Sequence, residues 1–102
     1  MLRHLFIGRA KPHCTDEQLA FVVATLRQLP SLVPEIKTLS VETSLGLSGE
    51  GKAVVLIAEF ESRQDWERYM QNERHLALGE KITPHIDLSR MTVTQTAVSR
   101  PV

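Results

Sequence analysis

The sequence has a single cysteine, Cys14, in 102 residues and no long apolar segment. One cysteine cannot form a disulfide within the chain, which fits a reducing compartment, so we expect a cytoplasmic protein. A membrane-spanning helix needs about 18 or more consecutive apolar residues, and no stretch approaches that length. The N-terminal apolar run is also too short for a signal peptide. We therefore predict a soluble protein without a membrane partner.

An excess of charge of one sign is also lacking, because twelve basic residues balance twelve acidic ones. Nucleic-acid binding depends on positive charge that faces the phosphate backbone, so we expect no nucleic-acid partner. Hydrophobic residues make up 42% and charged residues 24% of the chain, which is ordinary for a globular protein. At this length we predict a single domain over residues 1–102.

Local signatures of a metal or phosphate site are missing or incomplete. No two of the four histidines are three to five residues apart, so we predict no metal and no cofactor. The segment Gly46–Lys52 imitates a phosphate-binding loop, but Ala53 follows where that motif needs a hydroxyl. The segment also leads into a predicted strand instead of a helix. We interpret it as a glycine-rich hairpin loop.

The apolar periodicity alternates between that of strands and that of helices. Predicted strands cover residues 2–9, about 36–43, 52–60 and 87–98. Thr15 and Ser62 are predicted to cap the helices that follow them. Pro30 and Pro34 are expected to bracket a short non-helical connection. The second helical region should end near Pro84.

The predicted order β-α-β-β-α-β is typical of the α+β class with a ferredoxin-like fold, a four-stranded antiparallel sheet with its helices on one face. The first strand carries apolar residues on both faces, with Leu2, His4 and Phe6 on one and Leu5 and Ile7 on the other. The face without helices therefore needs cover, and a second copy of the sheet would supply it. We predict a homodimer.

The segment Trp66–His75 holds the only tryptophan and the only tyrosine of the chain, together with His75. Tyr69 and His75 are six residues apart, which would place them roughly 120° apart on a continuous helix. They can face one cavity only if the helix breaks between them. Asn72 is a good candidate for the break, because asparagine is a poor interior residue and a good cap.

His4 lies on an apolar strand face, where its imidazole needs a hydrogen-bond partner. Two interpretations stay open. His4 is either a core histidine with satisfied nitrogens or a general base in a cavity. Tyr69 and the pair Trp66 and Met70 are likewise open to interpretation as simple core packing.

Several motifs in their order resemble the stress-responsive A/B barrel domain (Dabb) family of dimeric α/β-barrel proteins. They are the first strand Leu-Arg-His4-Leu-Phe, the turn Lys11-Pro12 before Thr15 and Gln18, the connection from Leu29-Pro30 to Pro34-Glu-Ile36, the strand end Phe60-Glu-Ser62, and Tyr69 followed by His75. The resemblance implies a ferredoxin-like protomer whose sheet packs on its twin to close a barrel. It also implies a pocket between helices and sheet.

One plant branch of this family is a cofactor-free polyketide cyclase. By position, His4, Tyr69 and His75 match its catalytic residues, and this resemblance makes them our candidate catalytic residues. Two departures reduce the match: Asn72-Glu73 replaces a His-Pro pair, and Val54 stands where the cyclase has a further histidine. The residues we expect to line the pocket are Phe6, Val54, Leu56 and Trp66.

Two functions remain open at this point. The first is a non-catalytic homodimer that binds a small hydrophobic or phenolic ligand, with His4, Tyr69 and His75 joined in a structural hydrogen-bond network. The second is a cofactor-free enzyme, with cyclase-like or lyase-like aldol chemistry on a polyketide-like molecule through the same three residues. A monooxygenase is a further variant of the second, because the superfamily includes such enzymes.

Overall fold

The structure is a computed structural model, and it describes residues 1–99. Four strands form one antiparallel sheet in the order β2-β3-β1-β4. The strands are β1 (Leu2–Arg9), β2 (Thr38–Thr43), β3 (Ala53–Phe60) and β4 (Thr92–Ala97). The helices are α1 (Asp16–Leu26), the single turn α2 (Leu29–Leu32), α3 (Arg63–Gln71) and α4 (Glu73–Ile82). The predicted α+β class and ferredoxin-like arrangement are confirmed.

The helix caps predicted from the sequence are present. Thr15 accepts a hydrogen bond from the backbone N–H of Gln18, whose side chain accepts one from the Thr15 N–H in return. Ser62 caps α3 by accepting from the backbone N–H of Asp65. Each cap satisfies N–H groups that the first helical turn leaves unpaired. The two helical regions therefore begin where local side-chain chemistry fixes them.

Three boundary predictions were wrong. The connection between Pro30 and Pro34 contains the helical turn α2, with Pro30 in its first turn. Proline is tolerated there because its missing N–H would have no helical partner.

The final strand is also shorter than the predicted 87–98. Asp87 accepts hydrogen bonds from the backbone N–H and the hydroxyl of Ser89, which starts a 3₁₀ turn over Leu88–Arg90. Strand β4 begins only at Thr92. Aspartate commonly competes with strand pairing in this way. Similarly, β2 starts at Thr38 instead of residue 36, because Ile36 closes a turn on Val33.

The two faces of the sheet differ in their cover. Every sheet residue in the hydrophobic core lies on the face that carries the helices; the buried ones are Val41, Val54, Leu56, Ala58 and Phe60. The opposite face, here called the open face, presents Leu5, Ile7, Val55 and Ile57. These side chains are only partly buried. An ion pair between Arg3 and Glu59 at 2.9 Å flanks them.

Candidate functional site

A cavity of about 550 Å³ lies between the helix-bearing face of the sheet and helices α3 and α4. Its wall is mainly apolar, with Phe6, Leu26, Leu56, Leu78 and Met91 among the lining residues. Gly8 makes room for this wall, because a Cβ there would come within 2.8 Å of the Phe6 ring. His4, Tyr69 and His75 supply polar atoms to the wall. Such a pocket, apolar with a few convergent polar groups, is typical of small-molecule sites.

The predicted helix break at Asn72 is confirmed. Helix α3 ends at Gln71, and the Asn72 side chain accepts hydrogen bonds from the backbone N–H groups of Arg74 at 2.8 Å and His75 at 3.4 Å. Asn72 has an extended backbone conformation, so α4 begins as a separate helix. The His75 ring is thereby stacked on the Tyr69 ring, with centroids 4.1 Å apart and planes at 26°.

Replacing Asn72 with alanine is expected to lower the free energy of unfolding by about 1 kcal/mol, because α4 loses its N-cap. The stacking of His75 on Tyr69 should loosen at the same time, which would broaden the His75 ring signals in NMR spectra. The neighbouring exposed residue gives a matched control, since Gln71→Ala removes a side chain without removing a cap. Equal stability of the two variants in urea unfolding would contradict this role.

Tyr69 is the most enclosed of the three polar residues, with 2% of its surface exposed. Its ring packs against Phe60 with centroids 5.1 Å apart and meets the His4 ring edge-on at 5.7 Å. Burial raises the pKa of the Tyr69 phenol to about 12. The hydroxyl therefore keeps its proton at neutral pH and can donate a hydrogen bond.

His4 is buried, with 4% exposure, and its hydrogen bonds are made by Nδ1. The indole Nε1–H of Trp66 donates to that nitrogen at 3.2 Å, and the Gln95 amide nitrogen lies 3.1 Å from it. Burial lowers the pKa of His4 to about 4, and the nearby His75 adds to the effect. His4 is consequently neutral at physiological pH.

The ring nitrogens of His75 have fewer hydrogen-bond partners than those of His4. The Nδ1 of His75 is buried and has no hydrogen-bond partner within residues 1–99. Burial lowers the pKa of the His75 ring. The backbone carbonyl of Tyr69 partly offsets this by raising the pKa, although it makes no hydrogen bond to Nδ1. Since Nδ1 is enclosed, Nε2 is the nitrogen that a molecule in the cavity would meet. A neutral imidazole with a free nitrogen can accept a proton.

The structure brings the three candidate catalytic residues together, but not as a hydrogen-bond network. Within the described part of the chain no hydrogen bond joins any two of them, and they meet through their ring faces and edges instead. The expected structural network was therefore wrong. Buried imidazoles take the nearest donors, which for His4 are Trp66 and Gln95.

The four predicted pocket residues divide into two pairs. Phe6 and Leu56 line the cavity. The other two do not line it: Val54 is fully buried in the core, and Trp66 donates a hydrogen bond to His4 Nδ1. Gln95 was missed altogether. It lies directly opposite His4 in the pairing of β1 with β4, which could be seen only after the strand register was known.

Lowering the pH is expected to destabilise the protein between about pH 6.5 and pH 4. An exposed histidine titrates near 6.5, whereas the folded pKa of His4 is about 4, so the unfolded chain takes up a proton first. The contribution of His4 to the free energy of unfolding is intact above pH 6.5 and is lost as the pH falls toward 4. We expect a loss on the order of 2 kcal/mol after allowance for partial solvent screening. The lowered pKa of His75 acts in the same direction.

Urea unfolding at a series of pH values measures this dependence. The exposed His13 provides the control, since His13→Gln should leave the pH profile unchanged. A stability that stays flat from pH 7 to pH 4.5 would show that His4 is not buried in its neutral form.

Among residues 1–99, no group of three or more His, Cys, Asp or Glu side chains is arranged to hold a metal ion. In the same range, no helix is long and apolar enough to cross a membrane.

The sheet order and the helices on one face define a ferredoxin-like protein. The chain belongs to the family of the stress responsive A/B barrel domain (Dabb), whose model matches residues 2–95. The family inferred from the sequence motifs is thus confirmed. No curated protein is similar enough to the chain to count as a match.

Solved structures with the same fold are numerous, and three illustrate their range. A dimeric ferredoxin-like protein of unknown function from Thermobifida fusca YX is 24% identical with a TM-score of 0.81, covering 95% of this chain and 90% of that one. A hydroxynitrile lyase from Passiflora edulis is 20% identical with a TM-score of 0.80, covering 99% and 95%. An antibiotic biosynthesis monooxygenase is 19% identical with a TM-score of 0.67, covering 98% and 100%. At these identities the likeness establishes the fold alone.

Proposed function

We propose that the protein is a homodimer that binds a small, mostly apolar molecule carrying a carbonyl or phenolic oxygen in the cavity beside His4, Tyr69 and His75. The observation that carries the proposal is the cavity itself, about 550 Å³ of apolar space into which three polar rings converge. The placement of His4 and His75 in the cavity wall supports it further, because imidazole nitrogens can hydrogen-bond the oxygen of such a molecule. The cytoplasm remains its expected location.

The homodimer is supported by the open face. Leu5, Ile7, Val55 and Ile57 form a contiguous apolar stripe there, with strand partners paired in register. Partly exposed apolar patches on a sheet commonly mark an interface between subunits. A solved structure of the same fold, that of the Thermobifida fusca protein, is described as dimeric.

Binding can be tested with 2-acetylnaphthalene, a rigid apolar ketone small enough for the cavity. In a titration followed by NMR, we expect saturable binding at one site per protomer. The largest shifts should fall on residues of α4, on Phe6 and on Met91. Shifts that grow linearly with concentration and scatter over the surface would contradict a ligand site.

A cofactor-free enzyme is the second candidate, and the arrangement of His75 and His4 favours it. His75 would take a proton from a carbon next to a carbonyl, and the electron pair of that C–H bond would move onto the carbonyl oxygen. His4 and Tyr69 would donate hydrogen bonds to the resulting enolate. An enolate formed in this way can attack a second carbonyl, as in an aldol closure. The monooxygenase variant instead requires molecular oxygen and a phenol, and oxygen consumption separates the two.

Deuterium exchange tests the proton transfer directly. The acetyl methyl group of 2-acetylnaphthalene should incorporate deuterium faster in D₂O when the protein is present. His75→Ala is expected to lower that rate roughly a hundredfold or more, which is the usual effect of losing a general base. His13→Ala removes an exposed histidine and should change nothing. If the unmodified protein leaves the exchange at its uncatalysed rate, the enzyme hypothesis is contradicted and only the ligand-binding function is retained.

A further inference from the structure

We propose that Trp66 and Gln95 are positioning residues that fix His4 in one tautomer, so that its Nε2–H is a permanent hydrogen-bond donor at the cavity. The ligand would then have to present an oxygen that accepts a hydrogen bond, such as that of a ketone, an enolate or a phenolate. This inference rests on the proposed ligand site and adds the polarity of the group that the site recognises.

The tautomer follows from the chemistry of the donors. An indole nitrogen carries a hydrogen and has no lone pair with which to accept. Because Trp66 Nε1 lies 3.2 Å from His4 Nδ1 in hydrogen-bond geometry, Nδ1 must be the acceptor. The amide nitrogen of Gln95 is also only a donor, and it lies 3.1 Å from the same atom. In a neutral ring the single hydrogen must then be on Nε2.

Two separate elements hold this arrangement. Trp66 comes from α3, and Gln95 comes from β4 directly opposite His4 on β1. Neither residue is part of the cavity lining, whereas His4 is. The Nδ1 edge of the ring is thus occupied from outside the cavity, and Nε2 is the polar atom left for a ligand.

The same contacts separate the roles of the two histidines. Hydrogen bonds donated to Nδ1 stabilise the neutral ring, and they act together with burial, which holds the pKa of His4 near 4. His4 therefore donates throughout the physiological pH range and is unsuited to act as the base. His75, which has no such donors on Nδ1 among residues 1–99, keeps the accepting role.

NMR of the ligand-free protein tests the tautomer without any ligand. Long-range ¹H–¹⁵N correlation spectra of the histidine rings distinguish a protonated Nδ1 from a protonated Nε2. We expect His4 to show only the Nε2–H form from pH 5 to pH 8. A protonated Nδ1, or a mixture of both tautomers in the unmodified protein, would overturn the inference.

Gln95→Glu is the sharpest variant, because it replaces a donor with an acceptor of nearly the same shape. Its carboxylate should draw a proton onto Nδ1 and raise the titration midpoint of His4 by about one to three pH units. Gln71→Glu adds the same charge on an exposed part of α3 and should leave His4 unchanged. Trp66→Phe, which keeps an aromatic ring but no N–H, should make the Nδ1–H tautomer detectable. If both Gln95→Glu and Trp66→Phe leave the His4 signals as they were, the two residues do not position the ring.

A pair of similar ligands tests whether the tautomer of His4 determines which ligand the site recognises. 2-Acetylnaphthalene and 2-isopropenylnaphthalene differ in whether the group on the ring ends in an accepting oxygen or in a CH₂. At pH 8.5, where the His4 ring is neutral in both proteins, the ratio of their affinities should favour the ketone by about two- to tenfold more in the unmodified protein than in Gln95→Glu. An unchanged ratio would overturn the recognition claim. Failure of both molecules to bind would instead refute the proposed function, while the NMR result on the free protein would still decide the tautomer.

Discussion

The Ile57→Lys variant is expected to be a monomer under conditions in which the unmodified protein is a dimer. Ile57 lies near the middle of the open face, between Leu5 of β1 and Ser40 of β2 in the strand register. A lysine there would be buried in the interface without a partner charge. Because a twofold dimer contains two copies of the substitution, both would destabilise the interface. Uncompensated buried charges cost about 3–5 kcal/mol, so the dissociation constant should rise at least a hundredfold.

The protomer itself should stay folded, because Ile57 lies outside the hydrophobic core of the helix-bearing face. Light scattering coupled to size-exclusion chromatography measures the mass. Gln28→Lys introduces the same charge in the exposed connection between α1 and α2 and should leave the dimer intact. A dimer that survives Ile57→Lys would show that the open face is not the interface.

Gly79→Leu is expected to abolish ligand binding without destabilising the protein. Gly79 lies within α4 and lines the cavity. A Cβ added there would meet no atom within 4 Å, so a leucine side chain can extend into the open space. Glycine is also the least favourable residue for a helix interior apart from proline, so the substitution removes a cost of about 0.5–1 kcal/mol. If Gly79→Leu no longer binds the ligand, unfolding therefore cannot be the cause.

Gly79→Ala is the matched control for that variant. It gives the same gain in helix stability but adds only one carbon to the cavity, so binding of 2-acetylnaphthalene should be nearly retained. Thermal unfolding and the NMR titration are measured on both variants. Binding by Gly79→Leu equal to that of Gly79→Ala would place the ligand somewhere other than this cavity.

The sequence predicted most of the fold because its signals are local. The capping box at Thr15, the cap at Ser62 and the alternation in residues 2–9 each depend only on near neighbours in the chain. The break at Asn72 could also be predicted, since Tyr69 and His75 can face one cavity only if the helix breaks between them. Where local rules compete, the prediction failed: Pro30 fits a helical first turn as well as a connection, and the side chain of Asp87 closed a turn where strand pairing was expected.

The candidate site could be predicted in its location but not in its hydrogen bonding. His4, Tyr69 and His75 were grouped by family resemblance, and the structure brings their rings together. The partners of His4 depend on strand register and on the packing of α3 over the sheet, so Gln95 could not be identified and Trp66 was assigned to the pocket lining instead. Both are contacts between residues far apart in sequence, at separations of 91 and 62 positions.

The most direct test of the central claim is to locate 2-acetylnaphthalene in its complex by intermolecular nuclear Overhauser effects. If the cavity is the ligand site, the naphthyl protons should contact the side chains of Leu56, Leu78 and Met91, and the acetyl methyl group should contact His4 or His75. Contacts confined to the open face or to the exposed leucines of the β2–β3 loop, Leu45 and Leu47, would contradict a ligand site between the helices and the sheet.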